Sequence, residues 1–371
     1  MILETKQFKQ ICSKIIPAID SSNTLNITDV LELVTDNDTL NLNVTNREYY
    51  VNIKFKLNTP EQFHATVNAD LFLKLISQIT TDTIELKLDN TAVKIKGNGN
   101  YKIPLIFDND NLMELPKIKI DNVTLNTVMN KSILDSIVNY NSKEMIKENI
   151  TRPIQKMYYL DNEGCITFTG TGACVNNFSL PTPFKILLNT KIVKLFKLFK
   201  TDTINFKLGY DEFNNVIQTK VCFYDDEIEL TSILSCDDTL LNSVPVNAIR
   251  SKLNFDYPYS IVLDKNILNQ SLSRLVLFNK ADSFNYYKFA FNLDTLIISD
   301  EFEVNKEEIK YENGSSINQL YETYLNISEL KLILDGCSNQ YINILFGNNK
   351  TLIMVRDNIK NIFMEYSKTN G

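Results

Sequence analysis

Residues 68–76 read Asn-Ala-Asp-Leu-Phe-Leu-Lys-Leu-Ile and are followed, after a short polar break, by Thr-Asp-Thr-Ile-Glu-Leu-Lys-Leu at 81–88. The same order of residue types returns at 189–196, Asn-Thr-Lys-Ile-Val-Lys-Leu-Phe, and at 201–208, Thr-Asp-Thr-Ile-Asn-Phe-Lys-Leu. A third and weaker copy begins at Asn326. In each copy an Asn precedes an amphipathic segment and an apolar–polar alternation follows it. This pattern predicts a helix and then a strand, three times in one chain.

The spacing of the copies indicates how many domains the chain contains. The leading Asn recurs after about 120 and then about 137 residues, whereas solenoids and propellers repeat every 20 to 50 residues or so. A chain of 371 residues has room for three domains of the commonest size. We therefore predict three tandem domains at residues 1–118, 119–252 and 253–371.

Each predicted domain also contains a hairpin upstream of its copy. Polar turns at 36–38, 161–164 and 292–294 separate two apolar runs, and clusters of Asn, Asp and Gly between such runs are typical of β-hairpins. A further helical segment precedes each hairpin. The pattern thus predicts an α+β fold in which every domain packs two helices on antiparallel sheets.

Composition and motifs argue against several functional classes. No apolar run reaches the length of a membrane span, and the first residues contain Glu4 and Lys6 where a signal peptide would be apolar. The six Cys form no Cys-x-x-Cys pair, which favours a reducing, cytoplasmic compartment. The one histidine, His64, has no Cys or Asp at metal-ligand spacing. We therefore expect no metal site, no cofactor and no catalytic site.

Lysines are concentrated on the predicted helices, although the chain has a net charge of −7. In the helix after Asn189, a rotation of 100° per residue places Ile192, Leu195 and Phe196 on one side and the lysines on the other. The first helix, whose apolar face is predicted to extend to Ile19, and other helices repeat this arrangement. For any one helix a solvated lysine face is an alternative, but its recurrence favours a surface that attracts phosphates without reading bases. The lysines predicted to bind DNA are Lys6, Lys9, Lys14, Lys74, Lys131, Lys191, Lys194, Lys197 and Lys200.

Over nearly its whole length the chain resembles the sliding clamps formed by the beta subunit of bacterial DNA polymerase III. Besides domain count and element order, the resemblance rests on Val67-Asn68-Ala69, on the strand at 101–105 ahead of Met113-Glu114-Leu115-Pro116, and on Thr151-Arg152-Pro153-Ile154. In that family two three-domain chains join head to tail into a ring with pseudo-sixfold symmetry around duplex DNA. The resemblance implies a homodimeric, non-enzymatic processivity factor that slides on double-stranded DNA without sequence specificity, with Arg152 among its DNA-binding residues.

The resemblance also implies a dimer contact between the first domain of one chain and the third domain of its partner. On the third domain, Leu268, Ser271, Leu272 and Leu275 are expected to form the core face of a helix, which leaves the next two apolar residues facing elsewhere. A neighbouring loop could cover these two residues instead of a partner chain. The predicted contact residues are Ile103, Leu105, Val276 and Leu277, with Glu303 and Glu307 adding ion pairs.

A hydrophobic pocket that takes short linear peptides lies between the second and third domains of family members. The resemblance implies that the replicative polymerase and the clamp loader would dock there. The departure at Ala173 and Cys174, where many members have a His-Arg pair, leaves the accepted peptide open. The matching positions are Ile154, Gly172, Val175, Thr239, Val244, Ile362 and Met364.

Two alternatives remain open from the sequence. A non-enzymatic, β-rich structural or interaction protein, such as a virion component, would also explain three duplicated domains. It would not explain basic faces at equivalent helices. A ring with another number of chains is the second alternative, because three domains per chain specify a dimer only if the ring has six domains.

Overall fold

The computed structural model describes residues 1–20, 27–142, 152–169, 172–213, 216–234, 238–279, 286–347, 352–357 and 360–365. Of residues 213, 216, 238, 352 and 360–365 it describes the backbone alone. The chain divides into two compact units, each with its own large and small sheet. Unit 1 comprises residues 1–134 and 191–235, and unit 2 comprises residues 135–190 and 236–371.

Unit 1 contains two antiparallel sheets and one short hairpin. The large sheet has the spatial order β11 (Asn122–Asn130), β16 (Thr203–Phe213), β17 (Val216–Tyr224), β18 (Ile228–Ile233), β4 (Tyr49–Lys56), β3 (Thr39–Thr45), β2 (Val30–Asp36), β5 (His64–Asn68). The small sheet has the order β1 (Ile2–Glu4), β6 (Thr83–Leu88), β7 (Ala92–Lys96), β8 (Asn100–Pro104), and the hairpin pairs β9 (Phe107–Asp108) with β10 (Asn111–Leu112).

Unit 2 repeats this arrangement of one large and one small antiparallel sheet. The large sheet has the order β15 (Lys185–Asn189), β12 (Met157–Asp161), β13 (Gly164–Phe168), β14 (Gly172–Asn177), β26 (Lys360–Glu365), β25 (Leu352–Asp357), β24 (Tyr341–Phe346), β19 (Tyr259–Asp264). The small sheet has the order β22 (Lys306–Lys310), β21 (Thr295–Ser299), β20 (Tyr286–Phe291), β23 (Tyr321–Asn326).

Eight α-helices, several with short extensions of other pitch, occur in the described residues. They are α1 (Thr5–Ile15) with a 3₁₀ turn Ile16–Ala18, α2 (Ala69–Gln78), α3 (Lys131–Ser136) with a π segment Ile137–Asn141, α4 (Thr190–Leu195) with a 3₁₀ turn Phe196–Leu198, α5 (Asp238–Asn242), α6 (Val246–Leu253), α7 (Lys265–Val276) and α8 (Ile327–Gly336). A 3₁₀ turn also spans Pro153–Lys156. No described helix is both long and apolar enough to cross a membrane.

The Asn residues that open the first and third copies act as helix caps. The Asn68 side-chain oxygen accepts a hydrogen bond from the Leu71 N–H, and that of Asn326 accepts from the Ser328 and Glu329 N–H groups. These bonds satisfy N–H groups that a helix start leaves without a partner. The conserved position of the cap explains why the sequence pattern recurs at each of these helix starts.

Helices pack on the sheets through the faces that the periodicity predicts. In unit 1, Phe8 of α1 and Phe72 of α2 are fully buried and meet edge to face, with ring centroids 6.3 Å apart. In unit 2, α7 and α8 contribute Leu272 and Ile333 to one apolar cluster beneath both sheets. The predicted α+β class with helices on antiparallel sheets is confirmed.

Sheets continue across the predicted domain boundaries. In unit 1, β18 of the predicted second domain pairs with β4 of the first, with Leu230 opposite Val51. In unit 2, β14 of the predicted second domain pairs with β26 of the third, with Cys174 opposite Ile362. Because each large sheet combines strands of two repeats, the compact units do not follow the repeat. The boundaries at 118 and 252 stay a prediction.

A buried ion pair fastens the segment after β8 to the large sheet of unit 1. The Lys220 ammonium contacts the Asp211 carboxylate and donates to the Lys119 carbonyl oxygen at 2.9 Å. The Asp121 N–H donates to Asp211 Oδ1 at 2.8 Å. Burial raises the pKa of Asp211, but these hydrogen bonds and the Lys220 charge outweigh it, so the pKa is lowered.

Replacing Lys220 by Met is expected to lower the free energy of unfolding by about 2 kcal/mol, because a nearly buried carboxylate would lose its cation. Urea unfolding at neutral pH measures this change. The loss should shrink as the pH falls below the ordinary pKa of Asp, about 3.9, since protonation of Asp211 removes the same stabilisation from the wild type. A double variant that also carries Asp211→Leu should recover part of the loss. Equal urea midpoints for Lys220→Met and wild type would contradict a stabilising role.

Candidate functional site

Four lysines along α4, its 3₁₀ extension and the two residues that follow are exposed at every third residue. Lys191, Lys194, Lys197 and Lys200 face solvent, and all the residues between 191 and 200 that separate them are buried apolar side chains. A spacing of three fits a 3₁₀ helix, in which residues i and i+3 lie above one another, better than an α-helix. The change of pitch at Phe196 therefore extends the basic row beyond the end of the α-helix.

Two of the lysines predicted to contact DNA are paired with carboxylates of unit 1 that lie far away in the sequence. The Lys191 ammonium lies 2.8 Å from Asp20 Oδ2, and this hydrogen bond raises the pKa of Lys191. The Lys14 ammonium lies 2.6 Å from Glu227 Oε1 and is largely buried. Both pairs join the end of the first helical segment to elements more than 150 residues away in sequence. Their charges are therefore neutralised locally, which the sequence pattern did not indicate.

The other predicted basic residues differ in exposure. Lys6 and Arg152 are exposed, whereas Lys131 is half-buried. Lys9 donates to the Ser77 carbonyl oxygen at 2.7 Å, which ties α1 to the end of α2. Lys74 pairs with Asp70 one helical turn earlier on α2, at 2.7 Å and well exposed. Such exposed pairs exchange readily with solvent, so Lys74 keeps its capacity to meet a phosphate.

The end of α7 carries apolar side chains that face solvent. Leu268, Ser271, Leu272 and Leu275 are buried as predicted, while Leu277 is 80% exposed. Val276 is half-buried against the apolar cluster of unit 2. Phe278, which the sequence reading missed, is 57% exposed. The apolar run Leu275–Phe278 could have indicated this exposure, because four consecutive residues cannot all face one side of a helix.

Ion pairs hold this end of α7 against the edge strand β22. The Arg274 guanidinium forms a bidentate pair with Glu307, with Nε–Oε1 at 2.7 Å and Nη2–Oε2 at 2.6 Å. The hydrogen bonds from Arg274 lower the pKa of Glu307. Glu303 contacts the Lys288 ammonium at 3.1 Å. Both carboxylates predicted to serve a dimer contact are thus engaged within unit 2, where they fix the surface that displays Leu277.

The counterpart predicted on unit 1 lies at β8, the edge strand of its small sheet. Ile103 is only 2% exposed, because alternate residues of β8 face the core, and Leu105 is half-buried. The exposed apolar side chains here are Tyr101 and Phe107 instead. Ile103 therefore belongs to the core of unit 1 and is unavailable for a surface contact.

Three of the predicted pocket residues lie in one apolar cluster of unit 2. Val175 and Val244 are buried in it and Ile154 packs against it half-exposed. Thr239 is exposed on α5. The cluster also contains residues that the sequence reading did not select: Tyr159, Ile166, Phe168, Ala173, Leu187, Leu241, Ile249, Leu345 and Met354. Most of them lie on strands, where the alternation of apolar residues marks core in general, and Leu241 and Ile249 lie on α5 and α6.

The pairing of β14 with β26 brings the remaining predicted pocket positions next to one another. Gly172 lies opposite Met364, and Cys174 lies opposite Ile362, in the antiparallel pair β14–β26. The side chains of Ile362 and Met364 are outside the described part of the structure. The backbone nevertheless brings the predicted positions of β14 and β26 together beside the cluster around Val175.

His64 takes part in a network of polar side chains on the large sheet of unit 1. Its Nε2 lies 3.2 Å from Oε1 of the buried Glu32, and the other oxygen of that carboxylate accepts from the Asn43 amide at 2.8 Å. Asn52 donates to Asn43 Oδ1 at 2.7 Å. These contacts form a polar row across β5, β2, β3 and β4, which satisfies the buried carboxylate.

The N-terminal part of the chain matches a known family. Residues 1–119 match the model of the DNA polymerase III beta subunit, N-terminal domain. A beta sliding clamp from Mycoplasmopsis pulmonis is 30% identical over 122 residues, which is 33% of this chain and 31% of that protein. The aligned part thus spans about a third of that relative. A probable kinetochore protein SPC24 from Debaryomyces hansenii is 24% identical over 205 residues, 54% of this chain and 82% of that protein.

Solved structures extend the likeness to the whole chain. The DNA polymerase III subunit beta from Pseudomonas aeruginosa has a TM-score of 0.81 at 14% identity and covers 99% of both chains. A Helicobacter pylori beta clamp bound to a DNA ligase peptide has a TM-score of 0.75 at 14% identity, over 98% of this chain and 99% of that one. Residues 1–119 therefore match the N-terminal domain of the DNA polymerase III beta subunit family, and the chain as a whole has the fold of the beta sliding clamps.

Proposed function

We propose that this protein is a DNA sliding clamp, in which two chains encircle duplex DNA and tether a replicative polymerase as a processivity factor. The observation that carries the proposal is the exposed row of lysines on α4 in a chain that has the clamp fold from end to end. A β-rich structural protein of a virus particle is not favoured, because nothing in such a role requires this fold or this basic row.

The lysines supply attraction to DNA without specificity. Lys194, Lys197 and Lys200 are exposed, and within the described chain none lies within ion-pair distance of a carboxylate. Mobile ammonium groups bind phosphates through charge and read no base edges. Specific base contacts would hold the ring at one place, so a row of this kind suits a protein that slides. Lys6, Lys74 and Arg152 would add to it, whereas Lys14 and Lys191 would serve the structure of unit 1.

The ring would close through the edges of the two small sheets. β8 of unit 1 and β22 of unit 2 each end a sheet in the described chain, and an open edge strand invites pairing with another chain. Leu277 and Phe278 beside β22, and Tyr101 and Phe107 near β8, supply exposed apolar area at these edges. Two chains related by a twofold axis would satisfy both edges at once.

Partner enzymes would dock a short peptide on the apolar cluster around Val175 and Val244. The solved Helicobacter pylori clamp of the same fold carries a DNA ligase peptide, which supports a peptide-binding role here. Ala173 and Cys174 are buried and offer no charge to a ligand. The accepted peptide would therefore be selected by apolar side chains. The polymerase and the clamp loader would share this site.

The proposal is tested by the topology of DNA binding. Protein loaded on nicked circular duplex is expected to stay bound in salt that dissociates electrostatic contacts, and to leave within the assay once a restriction enzyme linearises the circle. A ring that surrounds DNA can slide off an end but not off a circle, whereas surface binding depends on salt alone. Gel filtration of the cut and uncut complexes measures the retained protein. Equal retention on circular and linear DNA would overturn the proposal.

A further inference from the structure

The outer face of the small sheet in unit 1 carries a row of lysines unrelated to the helices. Lys87 of β6 lies directly opposite Lys94 of β7, and Lys94 lies opposite Lys102 of β8. All three side chains are exposed. Together with Lys96 and Glu85 they line a shallow depression of about 380 Å³.

Without a ligand, the repulsion between these lysines lowers the stability of the sheet. Like charges placed directly opposite one another on neighbouring strands repel, and the row contains two such pairs. Lysines on an edge strand protect it against aggregation, but only Lys102 lies on an edge, because β6 and β7 are interior strands. In a chain of net charge −7, a local excess of positive charge on interior strands indicates an anionic ligand.

The carboxylates around the row neutralise it only in part. Lys87 lies 2.5 Å from Glu85 and Lys94 lies 3.0 Å from Asp89. Lys96 and Lys102 have no carboxylate within ion-pair distance in the described part of the chain. Four lysines thus face two carboxylates, and the excess charge lies toward β8.

We propose that this lysine row, Lys87, Lys94 and Lys102 with Lys96 beside it, binds a short acidic segment of a partner protein in extended conformation. The patch spans two strand spacings, roughly 10 Å, and about 7 Å along a strand. Carboxylates on alternate residues of an extended peptide are also about 7 Å apart, which matches the spacing from Lys94 to Lys96. A few acidic side chains therefore fill the patch.

Nucleic acid fits the same surface less well. Tyr101 also lines the depression, but it lies opposite the buried Ile95 on the other face of the sheet, and the lysine row itself contains no aromatic side chain on which bases could stack. Glu85 lies in the neighbouring row and Glu4 lies on β1 of the same sheet, so a phosphate backbone that continued past the patch would meet negative charge. An acidic peptide can end within the patch. This surface is separate from the apolar cluster of unit 2, so the inference does not depend on ring closure or on the pocket there.

Fluorescence anisotropy with a labelled peptide of alternating Asp and Gly tests the inference on the full chain. At low salt the peptide is expected to bind, and a matched Asn–Gly peptide about tenfold more weakly, because the attraction is one of charge. The double variant Lys87→Gln/Lys94→Gln should bind the Asp peptide about tenfold more weakly. Its thermal midpoint should be unchanged, because the loss of two exposed ion pairs is offset by the loss of repulsion between the lysines. The matched control is Lys54→Gln/Lys56→Gln on β4 of the same unit, expected to bind within about twofold of wild type.

Three results would overturn the inference. One is equal binding of the Asp and Asn peptides by the wild type. Another is an equal loss of affinity for the Asp peptide in the two double variants, which would show that binding depends on net charge alone. The third is tighter binding of labelled single-stranded DNA than of the Asp peptide, with the same dependence on Lys87 and Lys94, which would make nucleic acid the ligand.

Discussion

Replacing Lys194, Lys197 and Lys200 together by Glu is expected to weaken non-specific binding to duplex DNA by about 100-fold or more at low salt. Each lysine that neutralises a phosphate contributes about one unit to the slope of log affinity against log salt concentration. The triple variant should therefore lose about three units of slope per chain. Anisotropy of a labelled duplex over a salt series measures both quantities.

Of the four lysines in this row, the structure favours these three for replacement and leaves out Lys191. Lys191 pairs with Asp20, so its reversal would also break a contact that stabilises unit 1. The other three are exposed along α4, its 3₁₀ turn and the residues just after it, and the residues between them are buried, so their reversal should leave the thermal midpoint within a few degrees of wild type.

A charge-matched control separates the site from overall charge. The variant Lys56→Glu/Lys117→Glu/Lys119→Glu changes the net charge equally at exposed positions outside the helices of unit 1, and it is expected to retain most of the salt slope. If both variants lost the same slope, DNA attraction would depend on net charge alone. If the α4 variant kept the wild-type slope, these lysines would have no part in DNA binding.

Local signals in the sequence were sufficient for most of the fold. The hairpin turns at 36–38, 161–164 and 292–294 were predicted and are confirmed, because Asn, Asp and Gly at turns act through their own backbone preferences. The helix starts at Asn68 and Asn326 were predicted for the same reason. Such features depend on a few neighbouring residues, and a sequence displays them directly.

Helix ends and pitch were predicted less well. Ile19 was expected on the buried face of the first helix, but α1 ends at Ile15 and Ile19 is only half-buried. Pro17 explains the error, because its nitrogen carries no N–H to continue the α-helical hydrogen bonds, and the chain goes on as a 3₁₀ turn at Ile16–Ala18. In α4 the change to 3₁₀ at Phe196 depends on how the phenylalanines pack in unit 1, where Phe196 meets Phe223.

Long-range charge pairing limited the prediction of the site. Lys14 and Lys191 have the spacing of a basic helix face, yet their partners Glu227 and Asp20 lie 213 and 171 residues away. A periodic pattern cannot distinguish a lysine that faces solvent from one that meets a distant carboxylate. Ile103 illustrates the same limit on a strand, because the alternation of β8 could have placed either of its two faces inward.

Replacing Leu277 by Asp is expected to convert a dimer into a monomer at micromolar concentration. Leu277 is 80% exposed beside the edge strand β22, and a partner chain would bury it. A carboxylate buried there without a cation costs at least about 2 kcal/mol at a central contact, which is about 30-fold in the dissociation constant. A twofold dimer contains the contact twice, so the two losses act together. Light scattering coupled to gel filtration measures the mass.

The matched control is Leu293→Asp, which also replaces an exposed leucine of unit 2, in the turn between β20 and β21. It should keep the wild-type mass, because this turn lies at the Lys310 end of β22, whereas α7 meets β22 near its other end, at Glu307. The Leu277 variant should keep the wild-type thermal midpoint at concentrations where the wild type is monomeric, since the side chain has few contacts within its own chain. A dimer unaffected by Leu277→Asp would place the interface elsewhere. Equal dissociation in both variants would show sensitivity to added charge instead of a contact at α7, and either result would remove the edge of β22 as the closing surface of the ring.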